Sequence, residues 1–163
     1  MNLFLRRLSP LDGPAFYALT QSIPKEEQNS AYGLSPGEFP SWLKKQHDMS
    51  LGIGLPEGYG PQTVYWLMEG DTPVGICKLR VQLNKALLKR GGNIGYVIAP
   101  SVRGKGYGKE QLRLVLEEAK KQGMTRVLIT ANNGNKASIG VALHNGGIIE
   151  KVSEEDHYIW IDI

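Results

Sequence analysis

The chain has one cysteine, Cys77, among 163 residues. No disulfide can form within it, and a clustered Cys/His zinc site has no ligand set to draw on, so a reducing, cytoplasmic setting without a metal is expected. Long apolar runs are missing as well. No stretch approaches the roughly 20 residues that cross a bilayer, and Met1 to Arg7 carries its arginines after its apolar residues, the reverse of a secretory signal. No membrane partner is expected. An excess of one charge is also missing, since the formal net charge is only +3. No basic run is interleaved with aromatics and no nucleic-acid module spacing occurs, so a nucleic-acid partner is not expected either. Repeats and low-complexity tails are absent. A chain of 163 residues with 41% hydrophobic content suits one core, and one domain over residues 1–163 is expected.

What is present is concentrated between Gly91 and Glu150. An apolar run, Ile94-Gly95-Tyr96-Val97-Ile98, ends at Ala99-Pro100, because proline offers no N–H to a sheet and biases its predecessor towards extended geometry. The turn Arg103-Gly104-Lys105-Gly106-Tyr107-Gly108-Lys109 follows. Leu112, Val115, Leu116 and Ala119 then recur at helical spacing, charged residues fill the other face, and Gly123 supplies the stop. The glycines therefore stand at a helix N-terminus. There the first N–H groups lack intrahelical partners and the dipole is positive, an arrangement that holds phosphate. Lys85, Lys89, Arg90, Arg103, Lys105 and Lys109 gather around it.

Spacing decides among three glycine motifs. A Walker loop needs Ser or Thr after Gly-Lys to hold magnesium, but Gly108-Lys109 is followed by Glu110. A dinucleotide fingerprint needs Gly-x-Gly-x-x-Gly after a first strand, and Gly104-x-Gly106-x-Gly108 has the wrong interval. Arg-x-x-Gly-x-Gly does match. Arg103, Gly106 and Gly108 after Tyr96-Val97-Ile98-Ala99-Pro100 resemble the acyl-CoA-binding signature of the GNAT superfamily of N-acetyltransferases. Asn135, Ser138 and Gly146-Gly147 resemble that family's second segment, and Val64–Met68 with Val74–Leu79 reads as the hairpin before its core. Leu83-Asn84 and Gly91-Gly92-Asn93-Ile94-Gly95-Tyr96 are most similar to a poorly characterised bacterial branch. The resemblance covers Gln62 to Ile163.

The resemblance implies an α/β (α+β) fold with a central mixed, mostly antiparallel sheet flanked by helices. Its two parallel middle strands, one carrying Tyr96 and Ile98 and the other running from Arg126 to Thr130, diverge to admit a pantetheine arm. It implies acetyl-CoA as cosubstrate, held by Ile98, Arg103, Gly104, Lys105, Gly106, Tyr107, Gly108, Lys109, Asn135 and Ser138. An acetyl group passes directly to an amine acceptor, a small molecule or a peptide, in a monomer or homodimer. Two other functions stand beside transfer: a CoA-binding protein with little or no activity, and a partner-binding module whose glycine turn is structural.

Proton handling departs from the family pattern. Many relatives carry a Tyr seven positions after the residue matched by Asn135, where this chain has Ala142. Others carry a carboxylate on the strand before the turn, and Gly91 to Gly95 contains none. Tyr96 and Ser138 are the catalytic candidates, with His144 a further titrating group in the same segment. A base must come from elsewhere, either Glu69 on the hairpin or a water relay through Asn93 and Tyr96. In the first third, Leu11–Ser22 and Pro36–Gln46 read as helices, the second opening on Ser35-Pro36-Gly37-Glu38. The family places such helices over the acceptor groove, which makes Tyr32, Trp42, Tyr59 and Trp66 candidates to line it, or simply to pack.

Overall fold

The computed structural model describes residues 2–163; Met1, the first residue of the expected domain, lies outside them. The elements are β1 (Leu3–Arg7), α1 (Pro14–Ser22), α2 (Phe39–Ser50), β2 (Gln62–Glu69), β3 (Thr72–Arg80), α3 (Lys85–Lys89), β4 (Ile94–Ile98), α4 (Tyr107–Lys121), β5 (Arg126–Asn132), α5 (Lys136–His144), β6 (Ile148–Val152) and β7 (Asp156–Asp162). This is the expected α/β class, with sheets flanked by helices. The strands form two sheets, β1-β2-β3-β4 and β5-β7-β6, in which every pairing is antiparallel.

The β2–β3 hairpin and α4 lie where their patterns place them. Leu112, Val115, Leu116 and Ala119 of α4 are buried against Tyr65, Leu79, Ile94, Val127 and Ile159. Burial on that scale, about 1.5–3 kcal/mol for each large side chain, fixes the helix on one face of the strands. On the opposite face α1 and α2 bury Leu19, Phe39, Trp42 and Leu43 against Val64, Trp66 and Ile76. Helix α1 starts later than expected, because Ser9 to Asp12 close a turn in which the Asp12 carboxylate accepts from Ser9 N at 2.8 Å. Ser35 and Glu38 bond reciprocally, at 2.9 and 3.2 Å, just ahead of α2. Strand β1 and the short α3 were not expected; Asn84 caps α3 by accepting from Leu87 N at 2.8 Å.

The junction between the two sheets positions everything that follows. Arg80 N donates to Asn93 O (2.7 Å) and Ala99 N to Val74 O (2.8 Å). Hydrogen-bonded pairs alternate along an antiparallel ladder, so Val97 and Gly95 pair with β3 while Ile94, Tyr96 and Ile98 turn their N–H and C=O away from it. On β5, Asn133 N donates to Glu155 O (2.8 Å) and Ile163 N to Thr125 O (2.9 Å). By the same alternation Leu128, Thr130 and Asn132 turn away from β7. No ladder joins β4 to β5. They are held together at one end by Asn93, which is 2% exposed. Asn93 N donates to Leu128 O (2.9 Å), its Oδ1 accepts from Leu128 N (2.8 Å) and its Nδ2 donates to Arg80 O (2.8 Å). Gly92 makes this approach possible, having φ +60° and its position for a Cβ only 2.3 Å from Leu128 O.

Candidate active site

Beyond Asn93 the gap between β4 and β5 opens into two adjoining cavities. The larger, about 790 Å³, is lined by Ile98, by the 103–109 turn apart from Lys105, and by Asn135, Ser138, Val141 and His144 of the α5 region. The smaller, about 330 Å³, is lined by Glu26, Glu27 and Gln28, by Lys78 and Gly95, and by Thr130, Ala131 and Asn132. Glu27, Tyr96, Val97, Asn135 and Ser138 line both. The two cavities therefore meet where the sequence places its catalytic candidates.

In the larger cavity the chemistry is that of an anion cradle. Gly104 and Gly106 both have φ +81°, and nothing lies within 4 Å of a Cβ built on either. Glycine is needed there for the left-handed backbone, and its bareness leaves the front of the turn open. Gly106 is the N-cap of α4. The N–H groups from Gly104 to Lys109 find no partner among the described residues, the first helical bond being Glu110 N to Gly106 O. Gly108 acts differently, since its φ is ordinary. A Cβ there would stand 3.2 Å from Val141 Cγ2, so this glycine lets α4 approach α5. Tyr107 is buried, its hydroxyl donating to Glu69. It can offer a ligand only its N–H, and Glu69 is thereby held away from both cavities. Lys109 lines the larger cavity, whereas the exposed Lys105 side chain reaches neither. Arg103 braces the turn. Its Nε donates to Ile98 O at 3.0 Å and its Nη2 to Glu27 at 2.7 Å, which engages the Ile98 carbonyl and leaves the Ile98 N–H unpartnered among the described residues.

Where the cavities meet, the Tyr96 hydroxyl donates to Ser138 O (2.9 Å) and accepts from Ser138 Oγ (2.9 Å). Burial pushes the Tyr96 phenol up to about 12, against a smaller opposing effect from Ser138. Asn135 caps α5, its Oδ1 accepting from Ser138 N at 3.1 Å. The Asn-x-x-Ser spacing is thus an N-cap pair, which also sets Ser138 against Tyr96. Ala142 is fully buried in the core beneath α5.

Other candidates fall outside the site. Asn93 is buried, with both ends of its amide engaged in the sheet junction, and it lines neither cavity. Trp66 is fully buried and donates to Asp12 at 2.7 Å; Trp42 donates to Ser30 Oγ at 2.9 Å. Neither these nor the exposed Tyr32 and Tyr59 line either of the two cavities. The segment that does line the smaller cavity is Glu26 to Gln28, which falls between the two helices expected in the first third, where the sequence pattern marks no element. Its one local signal is Asn29, buried, with Nδ2 donating to Thr20 O (2.6 Å) and Ile23 O (2.8 Å). Cys77 also lines that cavity, but burial pushes its thiol far up and leaves it inert.

A model of the acetyltransferase (GNAT) domain matches residues 2–148. The chain belongs to the GNAT acetyltransferase family, whose cosubstrate is acetyl-CoA. It is similar in fold to the acetyltransferase of Salmonella typhimurium that modifies the N-terminal serine of ribosomal protein L7/L12, at 17% identity and TM-score 0.74, covering 100% of this chain and 96% of that one. A GNAT-family acetyltransferase of Streptococcus pneumoniae gives 18% identity and TM-score 0.66 over 99% of both chains. The Salmonella typhimurium protein yncA, solved with its cofactor acetyl-CoA, gives 13% and 0.66 over 99% of this chain and 94% of that one. No curated protein matches. Among the described residues no helix is long and apolar enough to cross a membrane.

Proposed function

We propose that this protein transfers the acetyl group of acetyl-CoA directly to the nitrogen of an amine acceptor. The observation that carries the reading is the meeting of two cavities at Tyr96 and Ser138: one is faced by unpartnered N–H groups and open glycines, the other has no such cradle. The turn from Gly104 to Lys109 holds the pyrophosphate. The outward-facing N–H groups of Tyr96 and Ile98 and the backbone of Thr130 hold the pantetheine arm along the gap between β4 and β5. Those donors are fixed before the reaction, the condition under which stabilisation of a developing oxyanion is large.

Tyr96 keeps its proton throughout the neutral range. A thiol titrates near 8.5, so full proton transfer from a phenol held near 12 to a leaving thiolate runs uphill. Tyr96 therefore serves as a hydrogen-bond donor to the departing sulfur, its one proton turning there from Ser138 O while Ser138 Oγ goes on donating to the phenol oxygen and positions it. The attacking nitrogen itself carries the proton that the thiolate takes up. The acceptor enters from the face covered by Glu26 to Gln28.

A second reading, CoA binding without transfer, is favoured by one feature: the position many relatives fill with Tyr is Ala142, sealed in the core. Mixing the purified protein with acetyl-CoA and a panel of primary amines, peptide N-termini and polyamines included, and following thiol release separates the two. Release that depends on one class of amine supports transfer. Saturable acetyl-CoA binding with no release above background for any amine leaves the second reading.

A further inference from the structure

The smaller cavity already contains an amine. Lys78 on β3 stands directly opposite Gly95 on β4, and directly paired residues project to the same face of a sheet. Because Gly95 has no side chain, the four-carbon stem of Lys78 can lie across β4, and one interstrand spacing of about 4.8 Å brings it to the gap. Lys78 accordingly lines the cavity together with Thr130, Ala131 and Asn132 of β5. Its Nζ donates to Gln28 O at 3.2 Å. Gln28 is the one described non-glycine residue with positive φ, +62°, and its Oε1 lies 2.8 Å from where a Gly95 Cβ would be. The loop is thus bent so that the Gln28 backbone carbonyl meets the lysine while the Gln28 side chain packs against the bare Gly95.

Among the described residues the charges around it leave this amine without a counter-ion. Glu27 is paired with Arg103, and Asp156 with Arg90. Glu26 is exposed at the rim, Arg80 is a like charge on the same strand, and Tyr96 stays neutral. Burial first, and Arg80 second, lower the Lys78 ammonium to about 8. At pH 7.5 a lysine near 8 is neutral roughly two hundred times more often than one at the ordinary value of about 10.4, and only the neutral amine is a nucleophile.

On the reading of the site given above, we infer that Lys78 is an internal acceptor: its Nζ is acetylated by acetyl-CoA bound in the adjoining cavity when no external amine is present. The Nζ lone pair forms a bond to the thioester carbonyl carbon and the C–S bond breaks, its electrons leaving with sulfur. The nitrogen then gives one proton to the thiolate, so that the products are Nζ-acetyl-lysine and CoA thiol. The acetylated side chain is neutral, longer, and fills part of the acceptor cavity.

The test uses the whole protein with acetyl-CoA alone at pH 7.5. Peptide mapping by mass spectrometry follows acetylation at Lys78 and at the exposed Lys44, while calorimetry measures acetyl-CoA affinity. The expected result is acetylation of Lys78 at least tenfold faster than of Lys44, rising with pH towards 8 and above, and suppressed by excess CoA. Lys78→Arg should bind acetyl-CoA normally and release no thiol in the absence of an acceptor. Normal binding with Lys78 unmodified, or modified no faster than Lys44, overturns the inference and leaves the transferase reading standing. Absence of binding overturns both.

Discussion

At Tyr96 one hydroxyl is shared between two atoms of one residue, and its substitution separates chemistry from binding. Tyr96→Phe removes only that hydroxyl, so acetyl transfer should fall about tenfold, within the usual range for a proton-handling or hydrogen-bonding group, while acetyl-CoA affinity measured by calorimetry is unchanged. The pH dependence has a defined sign. The folded phenol titrates near 12 against about 10 in the unfolded chain, so the unfolded state loses the proton first. The stability that Tyr96 contributes is whole below pH 10 and is lost as pH rises towards 12. Denaturation of the Phe variant should lack this part of the alkaline slope. The glycines of the turn divide in the same way. Gly106→Asp puts a carboxylate in front of the cradle, where nothing else meets a Cβ, and should abolish acetyl-CoA binding at a cost in stability of about 1–2 kcal/mol for the left-handed backbone. Gly108→Val instead collides with Val141. It should weaken binding by shifting α4 off α5, and its loss of stability, about 1–3 kcal/mol for overpacking, should exceed any backbone strain.

The contrast between α4 and the loop before α2 shows which elements sequence alone can place. Helix α4 repeats its apolar positions at helical spacing, and its N-terminus is marked by Gly104 and Gly106, whose role is local, so both its packing face and its open N-terminal turn are legible in the sequence. Asn135 and Ser138 are three residues apart on one turn and equally legible, though their pattern reads as cofactor binding and the structure adds a capping role. Asn135→Ala should therefore cost about 1 kcal/mol of stability through the lost cap, seen as a lower denaturation midpoint, as well as loosening Ser138 from Tyr96. What sequence could not show depends on partners distant in the chain. The Tyr107 hydroxyl meets Glu69, Arg103 meets Glu27, and Lys78 meets Gln28. None of these pairs has a spacing that betrays it. Strand β1 is illegible in the sequence for the same reason, because its five residues show their strand character only once β2 is beside them.

For the molecule as a whole, the larger cavity adjoins the gap between the sheets, and on the proposed function a ligand that matches both is held better than one that matches the turn alone. Acetyl-CoA at a free concentration of ~100 times its dissociation constant adds about 2.7 kcal/mol. In a domain of this size that raises the thermal midpoint by about 5–10 °C. ATP offers phosphates to the turn but nothing to the gap, and NAD likewise, so calorimetric scans should show much smaller shifts for both; equal shifts would mean that the turn only attracts anions. The single stitch at Asn93 has a consequence for solvent exchange of the backbone. Amides on the paired edges of β4 and β5, those of Val97 and Ile129, should be protected from deuterium, together with Asn93 and Leu128 at the closed end. The amides of Tyr96, Ile98 and Thr130, a residue away along the same strands, look into the open gap and should exchange faster by an order of magnitude or more. Adding acetyl-CoA should slow these three and leave their neighbours as they were, so that alternate residues of two strands report occupancy of the gap.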